Sequence, residues 1–88
     1  MQEKSVLVNH TGAVMDVAIS THRNLIVSVS EDSTIRVWSI DTARELSRYY
    51  GDNPITSCAL TPDGNKLIAG DSLGTVYFFK IEEPKIIG

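Results

Sequence analysis

The sequence predicts an all-β fold of short antiparallel strands, and three observations support this prediction. The 88 residues include 8 valines, 9 isoleucines, 9 serines and 7 threonines, and β-branched and small hydroxyl side chains favour strands over helices. Turn-forming residues recur roughly every ten residues, as in a meander of hairpins. The chain also matches itself when it is shifted by 41 residues. We therefore expect strands throughout and no helix.

Eight apolar-rich runs of strand length lie between the turn signals. In chain order they are Ser5–Val8, Val14–Ser20, Leu25–Ser30, Thr34–Ile40, Arg44–Tyr49, Ile55–Leu60, Lys66–Gly70 and Thr75–Lys80. Short strands at this spacing are typical of a sandwich, a barrel or a propeller. The first run is predicted to be an outer strand that precedes the first repeat, and residues 82–88 are predicted to be a short tail.

The turn at Thr61–Asn65 contains the residues that its backbone requires. Pro62 has a φ of about −65°, and Gly64 accepts the positive φ of a type I turn that is followed by a bulge. The equivalent segment Ser20–Asn24 lacks both proline and glycine. Its His22 is therefore expected to be an exposed loop residue.

The internal repeat divides the chain into an outer strand at residues 1–9, a first unit at 10–50 and a second unit at 51–88. Aligned positions share apolar, hydroxyl or turn character: Val14 with Ile55, Ala18 with Ala59, Ser20 with Thr61, Asn24 with Asn65, Thr34 with Thr75, Val37 with Phe78, Trp38 with Phe79, and Ile40 with Ile81. This period lies within the roughly 40 to 45 residues of a four-stranded propeller blade. The sequence therefore predicts two such blades.

Both faces of the predicted strands are apolar. In the third strand of the first unit, Ile35 and Val37 lie on one face and Trp38 lies on the other. A sheet with one face in water would alternate apolar and polar residues. We therefore expect each sheet to pack between neighbours, as propeller blades do.

The first unit carries a motif that begins and ends with characteristic residues. His10 precedes its first strand, and Trp38 closes its third strand. This arrangement resembles a WD repeat, in which a Gly-His pair precedes the first strand and a Trp-Asp pair ends the third. Asn9 replaces the glycine of the first pair, and Ser39 replaces the aspartate of the second.

The resemblance implies a buried hydrogen-bond network of four side chains. In WD repeats, an aspartate accepts hydrogen bonds from turn amides and from the histidine, which is linked through a strand hydroxyl to the tryptophan N–H. The matching positions here are His10, Ser28 or Ser30, Asp32 and Trp38. Such a network is physically reasonable because a buried indole N–H and a buried carboxylate each need partners.

The same residue types could instead form a Ser–His–Asp hydrolase triad. The sequence has no nucleophile elbow and no glycine-rich oxyanion loop, and Trp38 supplies a structural use for the hydroxyl. We therefore expect a protein that is not an enzyme.

The second unit lacks this polar network. Gly51, Leu73 and Phe79 stand where the first unit has His10, Asp32 and Trp38. Asp71 is predicted to cap the amides of the turn at residues 70–74. Cys58 aligns with the apolar Val17 and is predicted to pack in the core.

Composition and charge limit the classes of partner and compartment. There are 8 basic and 11 acidic residues, giving a net charge of −3, so neither nucleic acid nor an anionic membrane is an expected partner. A single cysteine favours a reducing, cytoplasmic location, and no run is long enough for a transmembrane helix. Two histidines and one thiol form no ligand cluster, and we expect no metal and no cofactor.

Two blades are too few to close a propeller, which typically has about 4 to 8. The uncovered faces require either further blades of a longer propeller or further copies of this chain. In the second case, the outer strand at residues 1–9 of one copy could complete the second blade of another copy, in a head-to-tail ring.

The resemblance implies a non-catalytic scaffold for protein–protein interaction. WD-repeat propellers hold partners on loops that precede the first strand of a blade and join its second and third strands. The matching positions are Ala13, Met15, Glu31, Pro54, Thr56 and Ser72. The alternative is a self-assembling homo-oligomeric ring with ligand-binding loops. Tyr49 and Tyr50 precede the second unit, and either outer-strand packing or partner anchoring explains them.

Overall fold

The computed structural model describes residues 6–82 and the backbone of residues 85–87. Its eight strands are β1 (Val14–Ser20), β2 (Leu25–Ser30), β3 (Thr34–Ser39), β4 (Glu45–Tyr50), β5 (Ile55–Leu60), β6 (Lys66–Asp71), β7 (Val76–Glu82) and β8 (Lys85–Ile87). Strands β1 to β4 form one antiparallel sheet in chain order, sheet I, and β5 to β8 form a second, sheet II. No helix occurs in this described part of the chain. The predicted all-β fold of two four-stranded units is confirmed.

The predicted outer strand at Ser5–Val8 is not paired within this chain, and the prediction of a tail at residues 82–88 is wrong. Residues 6–8 belong to neither sheet. Residues 1–5 of the predicted segment 1–9 lie outside the described residues. The fourth strand of sheet II is instead β8, within the segment that was predicted to be a tail, and it pairs with β7. A segment that directly follows β7 loses less chain entropy on pairing with it than a distant segment does.

The repeat is visible in the strand register. Val14 pairs with Ser30 in sheet I, and Ile55 pairs with Asp71 in sheet II, each followed by a β-bulge in the first strand. These pairs are related by the shift of 41 residues that aligns the sequence with itself. The two sheets are therefore copies of one blade in structure as well as in sequence.

The turns between the first two strands of each sheet lie against each other. The Gly64 N–H donates to the Thr61 carbonyl oxygen over 2.8 Å, and Gly64 has a φ of +73°. A Cβ atom at Gly64 would overlap the hydroxyl of Ser20 in sheet I. The predicted turn is confirmed, and its glycine also permits close approach of the sheets.

One apolar core lies between the two sheets. We call its two sides the inner faces. Sheet I contributes Leu25, Val27, Val29, Ile35 and Val37, and sheet II contributes Ile55, Leu67, Ala69, Phe79 and Ile81. Polar contacts also join the sheets: the Cys58 N–H donates to Asp16 Oδ2 over 3.0 Å, and the Arg23 guanidinium donates to Asn65 Oδ1.

The opposite side of each sheet is its outer face. The outer face of sheet I carries Val17, Ile19, Ile26, Ser28, Arg36 and Trp38, and that of sheet II carries Ala59, Ile68, Val76 and Phe78. Val17 is 55% exposed and Ile19 is 60% exposed, while Val76 and Phe78 are 58% and 71% exposed. Among the described residues, therefore, no second sheet covers either outer face.

Candidate functional site

A chain of hydrogen bonds begins at Trp38 on the outer face of sheet I. The indole Nε1–H of Trp38 donates to Ser28 Oγ over 2.8 Å, and Ser28 Oγ lies 2.6 Å from His10 Nε2. Because the serine oxygen accepts from the indole, its own proton is available to His10 Nε2. Trp38 and Ser28 are buried, so the network keeps two buried polar groups paired.

Asp32 receives the other end of this chain. His10 Nδ1 lies 3.0 Å from Asp32 Oδ2, and backbone N–H groups of Thr11 and Thr34 each donate to the carboxylate over 2.9 Å. The Thr34 hydroxyl donates to it as well. Burial opposes the charged form, but the hydrogen bonds from Thr34, His10 and Thr11 outweigh it and hold the pKa of Asp32 well below its usual range.

The structure separates the two serines that the sequence left as alternatives. Ser28 lies between Trp38 and His10, whereas Ser30 Oγ accepts a hydrogen bond from the backbone N–H of Asp32 over 3.0 Å. Ser30 therefore supports the turn that presents the carboxylate. Thr34, which sequence reasoning did not single out, contacts both His10 and Asp32.

A buried ion pair extends the network and was also missed from the sequence. Arg36 is 4% exposed; its Nε–H donates to Thr34 Oγ1 over 3.1 Å, and its guanidinium donates to Glu45 Oε1 over 2.9 Å. Asn9 donates to the same Glu45 oxygen over 2.8 Å. Burial opposes ionisation of Glu45, yet the hydrogen bonds from Asn9, Arg48 and Arg36 lower its pKa.

The connectivity of Ser28, His10 and Asp32 is that of a hydrolase triad, but its surroundings are not. Ser28 is buried and already accepts the indole proton of Trp38. A nucleophile must reach a substrate carbonyl next to oxyanion donors, and this hydroxyl is enclosed by its own partners. What the arrangement does chemically is to satisfy a buried indole and a buried carboxylate.

Sheet II replaces the polar network with an aromatic cluster. Phe79 lies 4.9 Å from Tyr49 of sheet I and 6.1 Å from Tyr77, measured between ring centroids. Tyr49 is therefore half-buried and packs between the two sheets. Tyr50, in contrast, is exposed, and the Arg48 guanidinium lies 5.9 Å from its ring centroid.

Asp71 caps the turn between β6 and β7, as predicted. Its Oδ1 accepts from the backbone N–H groups of Leu73 and Thr75, each over 2.9 Å, and its Oδ2 accepts from the Tyr77 hydroxyl over 3.0 Å. The hydrogen bond from the Thr75 amide is the main reason that the pKa of Asp71 is lowered.

The six positions predicted to bind a partner lie at one end of the two sheets. In sheet I the Glu31 N–H donates to the Ala13 carbonyl over 3.0 Å, and in sheet II the Ser72 N–H donates to the Pro54 carbonyl over 2.9 Å. These bonds are equivalent under the repeat. The six residues define what we call the loop surface: Ala13, Met15, Glu31, Thr56 and Ser72 are exposed and Pro54 is half-buried.

The remaining chemically reactive side chains are isolated. Cys58 is half-buried, and burial together with the charge of Asp16 raises its pKa to about 12. His22 is exposed, as predicted. In the described ranges, no three His, Cys, Asp or Glu side chains are grouped to hold a metal ion. No helix there has the length and apolarity needed to cross a membrane.

Comparison with known proteins places these features in a family. The family model for the TEP-1 C-terminal beta-propeller matches residues 10–81. Periodic tryptophan protein 2 of Saccharomyces cerevisiae is 31% identical over 85 residues, which cover 93% of this chain and 9% of that protein. The guanine nucleotide-binding protein subunit beta of Zea mays is 37% identical over 73 residues, covering 80% of this chain and 19% of that protein.

A likeness in structure accompanies these matches. The solved structure of U3-55K superposes with a TM-score of 0.83 at 20% identity, covering 96% of this chain and 28% of that chain. The 88 residues thus span a small fraction of the length of each of these relatives.

Proposed function

Because the chain belongs to the WD-repeat β-propeller family, we propose that it is a non-catalytic scaffold for protein–protein interaction, a partial propeller that further blades complete. Its partners are other proteins or further blades, and its compartment is the cytoplasm. The single observation that carries this proposal is the loop surface. Equivalent loops of both sheets lie side by side there and are held by matching backbone hydrogen bonds.

The loop surface has the properties of a site for a folded or extended protein segment. Met15 exposes an apolar side chain there and is 45% exposed. Glu31 contributes an exposed carboxylate to the same surface. Apolar anchors with a charged rim are typical of interfaces in which a few residues carry most of the binding energy. A partner with an apolar side chain next to a basic one suits this chemistry.

The partner does not include nucleic acid in this proposal. The net charge of −3 repels the phosphate backbone rather than attracting it. The charge also disfavours an anionic membrane surface.

A second candidate function is self-assembly into a homo-oligomeric ring with ligand-binding loops. The observation that favours it is the exposure of apolar side chains on both outer faces. Phe78 is the most exposed of these side chains, ahead of Val17, Ile19 and Val76. In a monomer these side chains would remain in water.

Position-specific photocrosslinking tests the scaffold proposal. A photoreactive amino acid is placed at Met15 on the loop surface, or at Thr42 as a matched control. Thr42 is exposed and lies in the β3–β4 turn, at the opposite end of sheet I. In extract of the source cells, we expect a discrete crosslinked partner from position 15, lost on Glu31→Lys, and none from position 42.

Equal crosslinking from both positions, or a product that Glu31→Lys leaves unchanged, would contradict the proposal.

A further inference from the structure

The residues on the exposed outer face of sheet II are the repeat equivalents of those on the buried inner face of sheet I. Under the shift of 41 residues, Val27, Ile35 and Val37 correspond to Ile68, Val76 and Phe78. The first three are completely buried against sheet II, whereas the second three are 38%, 58% and 71% exposed. The residue pattern that is covered inside the chain is thus repeated, uncovered, at one end.

The outer face of sheet I repeats the other half of the same contact. Val17, Ile19 and Ile26 correspond to Cys58, Leu60 and Leu67, all of which lie in or against the core between the sheets. Val17 and Ile19 are mostly exposed. One chain therefore presents both halves of a contact that it already makes once internally.

We infer that a second copy of this chain docks head to tail, with its outer face of sheet I against the outer face of sheet II of the first copy. This inference rests on the partial-propeller character of the proposed function. The occupant is a second copy because the internal contact already demonstrates how these two residue sets pack, and because each copy supplies both sets. Such a contact is heterologous, so it propagates until a ring closes.

The charged edge of the contact agrees with this docking. Lys66 stands on the outer face of sheet II at the position that Leu25 occupies in sheet I, and its neighbour across the strands is Lys80. In the internal contact, Glu82 of sheet II and Arg23 of sheet I line one groove at this edge. Asp41 is the counterpart of Glu82 and Gly64 is that of Arg23, so docking brings the exposed Asp41 of the second copy to the turn that contains Gly64 and leads into Lys66.

Two single substitutions block the two halves separately. Phe78→Glu places a carboxylate on the outer face of sheet II, and Val17→Glu places one on the outer face of sheet I. Both side chains are mostly exposed in the chain itself, so the fold tolerates either change. Leu73→Glu is the matched control, because Leu73 is equally exposed but lies in a turn away from both faces.

The experiment measures particle mass by size-exclusion chromatography with light scattering, with circular dichroism to verify folding. A ring of about 4 to 8 blades corresponds to about two to four copies of the 9.7 kDa chain. We expect the unchanged chain and Leu73→Glu to give one such mass. We expect each blocking variant alone to be a monomer, because an unpaired buried charge weakens association at least about tenfold.

Mixing the two blocked variants gives the decisive result. Val17→Glu retains an intact sheet II outer face, and Phe78→Glu retains an intact sheet I outer face, so the mixture is expected to form a dimer that cannot grow. An unchanged chain that stays monomeric at millimolar concentration would overturn the inference. A Val17→Glu variant that still self-associates would also overturn it, because the contact would then join two outer faces of sheet II and would not need the outer face of sheet I.

These outcomes are separate from the scaffold test. A monomeric chain that still crosslinks a partner from position 15 refutes head-to-tail docking and leaves the scaffold function standing.

Discussion

Replacement of Ser28 by alanine tests whether the hydrogen-bond network holds sheet I together. The substitution removes one oxygen that accepts the Trp38 indole N–H over 2.8 Å and contacts His10 Nε2 over 2.6 Å. Both partners stay where they are, since Trp38 is buried and the His10 side chain is enclosed. Two buried polar atoms then lose their partner while the packing volume barely changes.

The expected loss follows from the cost of unsatisfied buried groups. Each costs about 1–3 kcal/mol, so Ser28→Ala, which orphans two of them, should lower the free energy of unfolding by about 2–6 kcal/mol. A domain of this size has a total of only about 4–13 kcal/mol. Adding Trp38→Phe removes the orphaned N–H and should recover the cost of that one group, about 1–3 kcal/mol. Sheet II already has this combination, because Ala69 and Phe79 are the equivalents of the two positions.

Urea unfolding followed by circular dichroism measures all four members of this double-mutant cycle. Ser57→Ala is the control, since Ser57 is exposed, and its effect should stay within about 0.5 kcal/mol. The reasoning is refuted if Ser28→Ala costs no more than the control, or if its cost is unchanged by Trp38→Phe.

Three further outcomes follow from individual contacts. Gly64→Ala should destabilise by at least about 1 kcal/mol more than Gly74→Ala in thermal unfolding, because both glycines have positive φ but only at Gly64 would the new methyl group meet another side chain. Asp32→Asn should be less stable than the unchanged chain at pH 7, and this difference in unfolding free energy should close as pH falls below about 3.9. The folded state lowers the pKa of Asp32, so the stabilisation by its carboxylate is present above the pKa of the unfolded chain and is lost on acidification. A difference that does not change with pH would contradict this. Cys58, whose pKa is raised to about 12, should react with iodoacetamide at pH 8 far more slowly in the folded chain than in urea. Mass spectrometry measures the two rates, and equal rates would count against the burial of this thiol.

The sequence was a good guide to strands and a partial guide to the site. Three strands, Val14–Ser20, Leu25–Ser30 and Ile55–Leu60, have the predicted bounds, because turn residues limit them on both sides. The positions of His10, Asp32 and Trp38 follow from the resemblance. The choice between Ser28 and Ser30 did not, since both lie on one face of β2, and only the register with β3 decides which one reaches the indole.

Other features depended on tertiary context that no local pattern carries. Lys85–Ile87 is too short for its strand character to stand out, and it becomes a strand because β7 offers an unpaired edge beside it. Arg36 and Glu45 form a buried pair, whereas charged residues in strands are ordinarily assigned to the exposed side. A signal was present nonetheless: Thr34, Arg36 and Trp38 alternate on one face, opposite Ile35 and Val37.

The two sheets show two solutions to the same packing problem. Sheet I places an indole at its third strand and must therefore supply an acceptor, a histidine and a carboxylate, and in the described residues no buried side-chain polar atom is left without a partner. Sheet II places Phe79 at the equivalent position and needs none of these groups, so Gly51 and Leu73 can occupy their sites. The polar solution is costly when any one member is lost, whereas the aromatic solution depends on contact with Tyr49 of the neighbouring sheet. Loss of the network should therefore weaken sheet I itself, while loss of Phe79 should weaken the joint between the sheets.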